Sequence, residues 1–387
     1  MTTWTANWNY PTAIKAGPGR VRELPVHCRA LGMHKPLLVT DPGLAALPMV
    51  ADVLRDCGDA GLGCRVFSQI KGNPTGRNVD EGVEAYRAGG HDGVIALGGG
   101  SALDAAKAIA LMAGQTRPLW DFEDVGDNHL RVDVRGMAPV IAVPTTAGTG
   151  SEVGRASVIT DEAAHVKRII FHARMLPALV ILDAQLTVAL PARLTAATGM
   201  DALSHNLEAL CSPMHHPMAT GIGMEGCRLV SVHLRRAVED GRDLEARHHM
   251  LVASSMGATA FQKGLGAMHA LAHPLGALYD AHHGMLNAIL MPYVLRANAS
   301  AITGTMADLA RYLGLEATGP AAVLDWVLAL REAIGIPHRL ADIGIPADAV
   351  GRVGAMAVRD ASSATNPIAF DAARYDAILR DAIEGRL

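Results

Sequence analysis

Short apolar runs broken by glycine, proline and acids fill the first half of the chain, and longer helix-favouring stretches fill the second. Pro36-Leu-Leu-Val-Thr-Asp41 predicts a buried parallel strand ending in Asp41, because a strand covered on both faces is apolar throughout rather than alternating. A helix over Leu44–Cys57 and a strand Cys64-Arg-Val-Phe67 follow. Asn73-Pro74-Thr75 signals a turn ahead of a helix over Val79–Ala88. His91–Leu97 reads as a strand running into Gly98-Gly99-Gly100-Ser101 and a helix over Ala102–Met112. Ala138–Val143 and Ala178–Asp183 are the last strands, the latter expected to close the sheet. Strands and helices alternating on this scale predict a parallel sheet with helices on both faces. From Pro191 onward the strand signals stop. Thr195–Cys211, Ala219–Val238, Leu244–Phe261 and Ala321–Ile334 read as helices, with Pro191 suited to a first turn. The expected organisation is an α/β dinucleotide-binding domain over 1–187 and an all-α metal-binding domain over 188–387, with the site in the cleft between them.

Composition narrows the chemistry. Half of the 387 residues are apolar but only 4% are aromatic, and 40 are glycine, so Ala, Val, Leu, Ile and Met must fill the core. A net charge of −4 without a long basic run argues against a nucleic-acid surface. Five cysteines with no C-x-x-C spacing suit a reducing compartment. Met1–Pro11 holds two Trp and two Asn and no apolar core, so no signal peptide is expected. The run from Gly93 to Gly114 contains Asp104, Lys107 and three consecutive glycines, which makes it a buried strand, loop and helix rather than a membrane span. A cytoplasmic protein is the expectation.

Two sets of residues carry candidate chemistry. In the first half, the Gly98–Ser101 loop opens a helix at the carboxyl end of a strand, where backbone N–H groups and the helix dipole favour a phosphate. Asp41 at a neighbouring strand end can accept both ribose hydroxyls and would repel a 2′-phosphate, favouring NAD over NADP. The acid precedes the glycines, the reverse of the usual G-x-G-x-x-G order. Pro144-Thr-Thr-Ala-Gly-Thr-Gly-Ser-Glu152 is dense in hydroxyls suited to phosphate or ribose, and Lys167 beyond it is free to reach a cofactor.

In the second half, Asp201 and His205 are four residues apart in a predicted helix and share a face, as do His269 and His273. His283 lies fourteen residues past His269, about 21 Å away along one unbroken helix. Pro274, Gly276 and Asp280-Ala-His-His-Gly284 supply the breakers for a turn back. One carboxylate with converging imidazoles suits a borderline divalent ion such as Fe(II) or Zn(II). Seventeen histidines make accidental i, i+4 pairs common, so the nucleotide half gives the metal its reason. A metal-dependent hydrolase would use such an ion to activate water, but it has no need of Asp41 or the glycine loop.

The ordered set Asp41, Gly98–Ser101, Pro144–Glu152, Thr195-Ala-Ala-Thr-Gly-Met-Asp-Ala-Leu203, His269-Ala-Leu-Ala-His-Pro-Leu-Gly276 and His283-Gly284 resembles the iron-containing (group III) alcohol dehydrogenases over nearly the whole chain. The resemblance implies a dehydroquinate synthase-like fold, a homodimer and interconversion of a primary alcohol with its aldehyde. It implies metal ligands at Asp201, His205, His269 and His283, and a non-ligand histidine near the substrate at His273. By its titration range His273 suits a proton relay, and by its position it equally suits a partner that orients a ligand. Cofactor contacts are implied at Asn73, Thr145, Thr146, Thr149 and Lys167. Phe261-Gln-Lys-Gly-Leu-Gly266 and Phe171-His172 resemble the subgroup that oxidises 4-hydroxybutyrate, and Arg155 and Lys263 are the cations expected to hold a substrate carboxylate.

Overall fold

The structure is a computed structural model that describes residues 10–164 and 166–387. Met1–Asn9, where the absence of a signal peptide was expected, lies outside the described residues. The chain divides into two compact units, one of residues 10–146 and 150–189, the other of residues 147–149 and 190–387.

The first unit contains strands β1 (Ala13–Ala16), β2 (Pro36–Val39), β3 (Arg65–Phe67), β4 (Gly93–Gly98), β5 (Val140–Pro144), β6 (Ala156–Asp161), β7 (Val166–Phe171) and β8 (Leu179–Leu182). Its helices are α1 (Leu24–Ala30), α2 (Pro42–Ala45), α3 (Pro48–Asp59), α4 (Gly76–Gly89) and α5 (Gly100–Met112). Six strands form one all-parallel sheet in the order β1-β8-β5-β4-β2-β3, and β6 and β7 form a separate antiparallel pair. Every residue of β2, β4, β5 and β8 is buried, which is why these strands read as unbroken apolar runs. Their alternate side chains divide between the two faces. Leu38, Ile95, Leu97, Ile141, Val143 and Ile181 join Leu24 and Cys28 of α1 and Val50, Val53 and Cys57 of α3 in one core. Helix α5 packs on the other face, against β2, β4 and β5.

The two charges within the apolar helix α5 are paired. Lys107 Nζ lies 3.3 Å from Asp104 Oδ1 and donates to the Ser151 carbonyl at 3.0 Å. Asp104 accepts from Ser151 Oγ at 2.5 Å and Val158 N at 2.9 Å. They thereby anchor the loop after β5, and their burial is tolerable because each charge finds a partner and hydrogen bonds.

Several expectations need correction. β8 does not close the sheet: it pairs with both β1 and β5, and the edges are β1 and β3. Ala13-Ile-Lys-Ala16 is too short and too little apolar to have declared itself as the edge strand. The expected Leu44–Cys57 helix is two helices, α2 and α3, separated at Leu47, since Pro48 has no N–H to continue α2. Lys167 falls within β7, a strand that the sequence reading passed over.

The second unit is helical: α6 (Ala192–Cys211), α7 (Pro217–Glu239), α8 (Leu244–Ala260), α9 (Ala267–Tyr279), α10 (His283–Asn298), α11 (Thr303–Leu313), α12 (Pro320–Ala333), α13 (Arg352–Ala357) and α14 (Ala372–Glu384). Leu203 and Leu207 of α6, Val230 of α7, Met250 of α8, Leu271 of α9 and Ile289 of α10 share one apolar core. Pro191 is the N-cap of α6 rather than part of its first turn. Pro274 and Gly276 do not break α9, which runs through both. A proline inside a helix forfeits one backbone bond, and burial of Pro274 within the bundle offsets that loss. The chain turns instead at Asp280, whose φ of +50° is left-handed, and α10 begins three residues later. Among the described residues no helix is long and apolar enough to cross a membrane.

Gly98 tests the strand-to-helix turn. Its φ is +152°, and a Cβ there would sit 2.7 Å from the Ala102 methyl. Gly98→Ala should therefore cost about 1–3 kcal/mol, read as a lowered urea midpoint with unchanged slope; an unchanged midpoint would show that the turn carries no such constraint.

Candidate metal centre and nucleotide loop

Helix α6 places Asp201 and His205 one turn apart on one face. Both are 3% exposed, and His269, in the first turn of α9, is 1% exposed. His283, half-buried, opens α10. These four residues offer one ligand atom each, all within 4.8 Å of one another. Tetrahedral ligand atoms about 2.1 Å from an ion stand roughly 3.4 Å apart, so a small inward adjustment satisfies an ion. Gly284 permits the approach of α10 to α6: a Cβ there would lie 2.5 Å from the Ala197 carbonyl oxygen and 3.1 Å from Asp201 Cβ.

Asn287, fully buried one turn after His283, tests whether the site suits a cation. Its Nδ2 donates to Asp201 Oδ1 at 2.8 Å and lies 3.2 Å from His269 Nε2 and 3.1 Å from His283 Nε2. Three acceptor atoms thus converge on one positively polarised amide group, the environment a divalent ion requires. On the far side of its ring, His269 Nδ1 donates to Glu208 Oε2 at 2.7 Å, which leaves the lone pair on Nε2.

Electrostatics follow from burial and neighbours. Burial would raise Asp201, but the charges of His205, His283 and His269 and the Asn287 amide hold it down at about 2. Burial pushes His205 down to about 4, against the opposing pull of Asp201. Burial opposes the charged form of His269 as well, yet Glu208 and Asp201 carry it above its ordinary value.

His273 stands one turn beyond His269. Its Nδ1 is 2.8 Å from Asp360 Oδ2, while Asp360 Oδ1 accepts from Ser362 N at 2.9 Å. Burial works against Asp360's charge, but the bond to His273 outweighs it and holds the carboxyl below its ordinary value. The His273 and His283 rings stack at 5.5 Å.

In the α/β unit, the neighbouring strands β2, β4 and β5 bring Asp41, the glycine loop, Thr145 and Thr146 to the carboxyl end of the sheet. Asp41 caps α2, accepting from Leu44 N at 3.0 Å. Gly99 caps α5 with no side chain over its first N–H groups, and a Cβ there would meet Thr146 Oγ1 at 3.3 Å. Thr145 N donates to the Gly98 carbonyl at 2.9 Å, and Ser101 Oγ donates to the Gly72 carbonyl. Lys167 Nζ donates to Asn73 Oδ1 at 2.9 Å. Thr149 falls in the 147–149 stretch that belongs with the helical unit, where Gly148 lies against Thr198.

The two expected carboxylate-holding cations are placed differently. Arg155 stacks over the Phe171 ring at 5.7 Å in the α/β unit. Lys263, in the helical unit, is buried and donates from Nζ to the Leu210 carbonyl at 3.2 Å. Burial lowers its pKa. An ammonium donating to a carbonyl at the end of α6 has a structural task there. Sequence reading also passed over Glu208, Asn287 and Asp360. Helical spacing could have flagged Glu208 and Asn287, whereas Asp360 carries no local signal.

The comparisons with known proteins bear on both sites. The family described as iron-containing alcohol dehydrogenase matches residues 11–184, and the family described as Fe-containing alcohol dehydrogenase, C-terminal, matches residues 195–383. The chain is 40% identical to the 4-hydroxybutyrate dehydrogenase of Cupriavidus necator, with 97% of this chain and 99% of the relative covered. It is 34% identical to an NAD-dependent methanol dehydrogenase of Bacillus methanolicus, covering 93% and 95% respectively. A crystal structure of 1,3-propanediol oxidoreductase superposes with a TM-score of 0.93 at 35% identity, covering 98% of this chain and 100% of that one.

Two outcomes are expected. Gly284→Ala should weaken Zn(II) or Co(II) binding at least about tenfold by forcing α10 off α6; isothermal titration giving wild-type affinity would contradict the packing argument. Asp201 and His205 keep their ligating forms into acid, so the raised His269 is the first of these three to take up a proton as pH falls. Metal affinity should then drop about tenfold per pH unit below its pKa, measured by chelator competition; pH-independent affinity between about 8 and about 5.5 would contradict it.

Proposed function

Since the chain belongs to the iron-containing alcohol dehydrogenase family, and is therefore an oxidoreductase rather than a hydrolase, we propose that it is an NAD(H)-linked dehydrogenase interconverting a primary alcohol and its aldehyde, with an ω-hydroxy acid such as 4-hydroxybutyrate as substrate. The observation that carries the reading is the buried convergence of Asp201, His205, His269 and His283 in a chain that also holds a glycine loop and Asp41 at the carboxyl ends of parallel strands. The substrate assignment leans on the 40% identity to 4-hydroxybutyrate dehydrogenase, and the NAD assignment also on the NAD-dependent methanol dehydrogenase.

Asp201, His205, His269 and His283 would hold the divalent ion, Fe(II) in line with the family name and Zn(II) equally compatible with the ligand types. When bound, the ion supplies Lewis-acid stabilisation of negative charge on the substrate oxygen, and NAD+ supplies the hydride acceptor.

The chain's own residues supply the rest. Asp360 holds His273 by Nδ1, which leaves Nε2 to take up and pass on the alcohol proton. Gly98, Gly99, Gly100 and Ser101 would accept the pyrophosphate against the N-terminus of α5, with Thr145, Thr146, Thr149, Asn73 and Lys167 as further cofactor contacts. Asp41 would accept the adenosine ribose hydroxyls and exclude a 2′-phosphate. Arg155, a cation with no carboxylate partner among the described ion pairs, would face a substrate carboxylate. A homodimeric, cytoplasmic enzyme of dehydroquinate synthase-like fold completes the proposal.

Anaerobic reconstitution with Fe(II) or Zn(II), followed by turnover with NAD+, tests it. 4-Hydroxybutyrate should exceed n-butanol in kcat/KM by at least about tenfold, the size of one charge-assisted contact, and Arg155→Ala should erase most of the difference. Equal turnover of the two would remove the carboxylate contact, and no NADH formation from any alcohol would remove the reading itself.

A further inference from the structure

Glu208 lies seven residues after Asp201 on α6, so Asp201, His205 and Glu208 share one helical face. It is 3% exposed. A carboxylate buried this deeply is costly unless its lone pairs are engaged. Here they all meet α9: Oε2 accepts from His269 Nδ1 at 2.7 Å and from Gly266 N at 2.9 Å, and Oε1 accepts from Met268 N at 2.7 Å. Glycine suits the first residue of this contact, since a Cβ at Gly266 would sit 2.9 Å from Asn366 Oδ1 and 3.0 Å from Glu208 Oε1.

We propose that Glu208 is the positioning residue of the metal centre, fixing the His269 ring so that Nε2 faces the ion and supplying the second negative charge that balances a divalent cation. The assignment rests on the metal-dependent reading above. With Asp201 alone, a divalent ion among neutral imidazoles would leave one uncompensated positive charge in a buried site. Glu208 brings the sum to zero, two charges against two, and stays one imidazole away from the ion. The same carboxylate caps α9, whose N-cap Gly266 has no side chain of its own to offer. Capping alone does not account for it, because Asn366 already performs that task beside it, accepting from Ala267 N at 3.1 Å. Only Glu208 also reaches the imidazole.

Glu208→Gln keeps the shape and removes the charge. Equilibrium affinity for Co(II) and Zn(II), by chelator competition on protein shown to be folded by circular dichroism, should fall by about 10–100-fold, with displaced Co(II) visible bands. Asn366→Ala, which removes a cap without touching His269, should lower Tm while leaving affinity within about threefold. A folded Glu208→Gln protein with wild-type affinity and an unchanged Co(II) spectrum would overturn the assignment. Should that variant not fold, nitrogen-15 histidine NMR of the Zn(II)-loaded wild type decides. A far-downfield proton on His269 Nδ1, absent in His269→Ala, supports the role, and a proton on Nε2 refutes it. A wild type that binds metal no better than His269→Ala overturns the metal reading and this assignment together; a wild type that binds metal better than His269→Ala but no better than folded Glu208→Gln overturns the assignment alone.

Discussion

Burying a carboxylate among imidazoles in an apolar helical bundle is unfavourable unless each lone pair and each N–H is directed at something. That requirement organises the helical unit. Asp201 is held by the Asn287 amide, His269 by the Glu208 carboxylate and His273 by Asp360, so these three side chains are oriented before any ion arrives. Helix α6 is the chassis, offering Asp201, His205 and Glu208 from successive turns of one face. The rest of the bundle brings α9 and α10 close enough to meet them, and glycine at 266 and 284 removes the β-carbons that would otherwise hold those helix starts away.

The α/β unit solves a different problem by the same economy of groups. An anion there would be met by backbone N–H groups rather than cations, so the chain must come close without side chains in the way. The glycine run after β4 does this, and the missing side-chain cap on α5 leaves its first N–H groups to serve. Asp104 and Lys107, which sit in an otherwise apolar helix, are spent on tying the loop after β5 in place.

The two histidines of the His269-Ala-Leu-Ala-His273 segment show how one helical turn separates tasks. His269 is fully enclosed and bonded to a carboxylate that is itself saturated by α9. His273 is more exposed, and its partner Asp360 comes from a distant segment anchored through Ser362. Identical side chains four residues apart thus acquire different chemistry from the carboxylate behind each one.

Much of this was determined by the sequence alone. Unbroken apolar runs specify strands buried on both faces, the acid and glycines directly after them fall at strand ends, and i, i+4 spacing puts Asp201 with His205 and His269 with His273, because these follow from backbone periodicity over a few residues. The tertiary structure decided what periodicity cannot reach. It put β1 on the edge beside β8, carried α9 through Pro274 so that the turn fell at Asp280, and engaged the Lys263 ammonium with a backbone carbonyl. It also supplied Glu208, Asn287 and Asp360 to residues 61, 86 and 87 positions away in the chain. Such pairings depend on which helices pack together and how closely, and no local pattern encodes that.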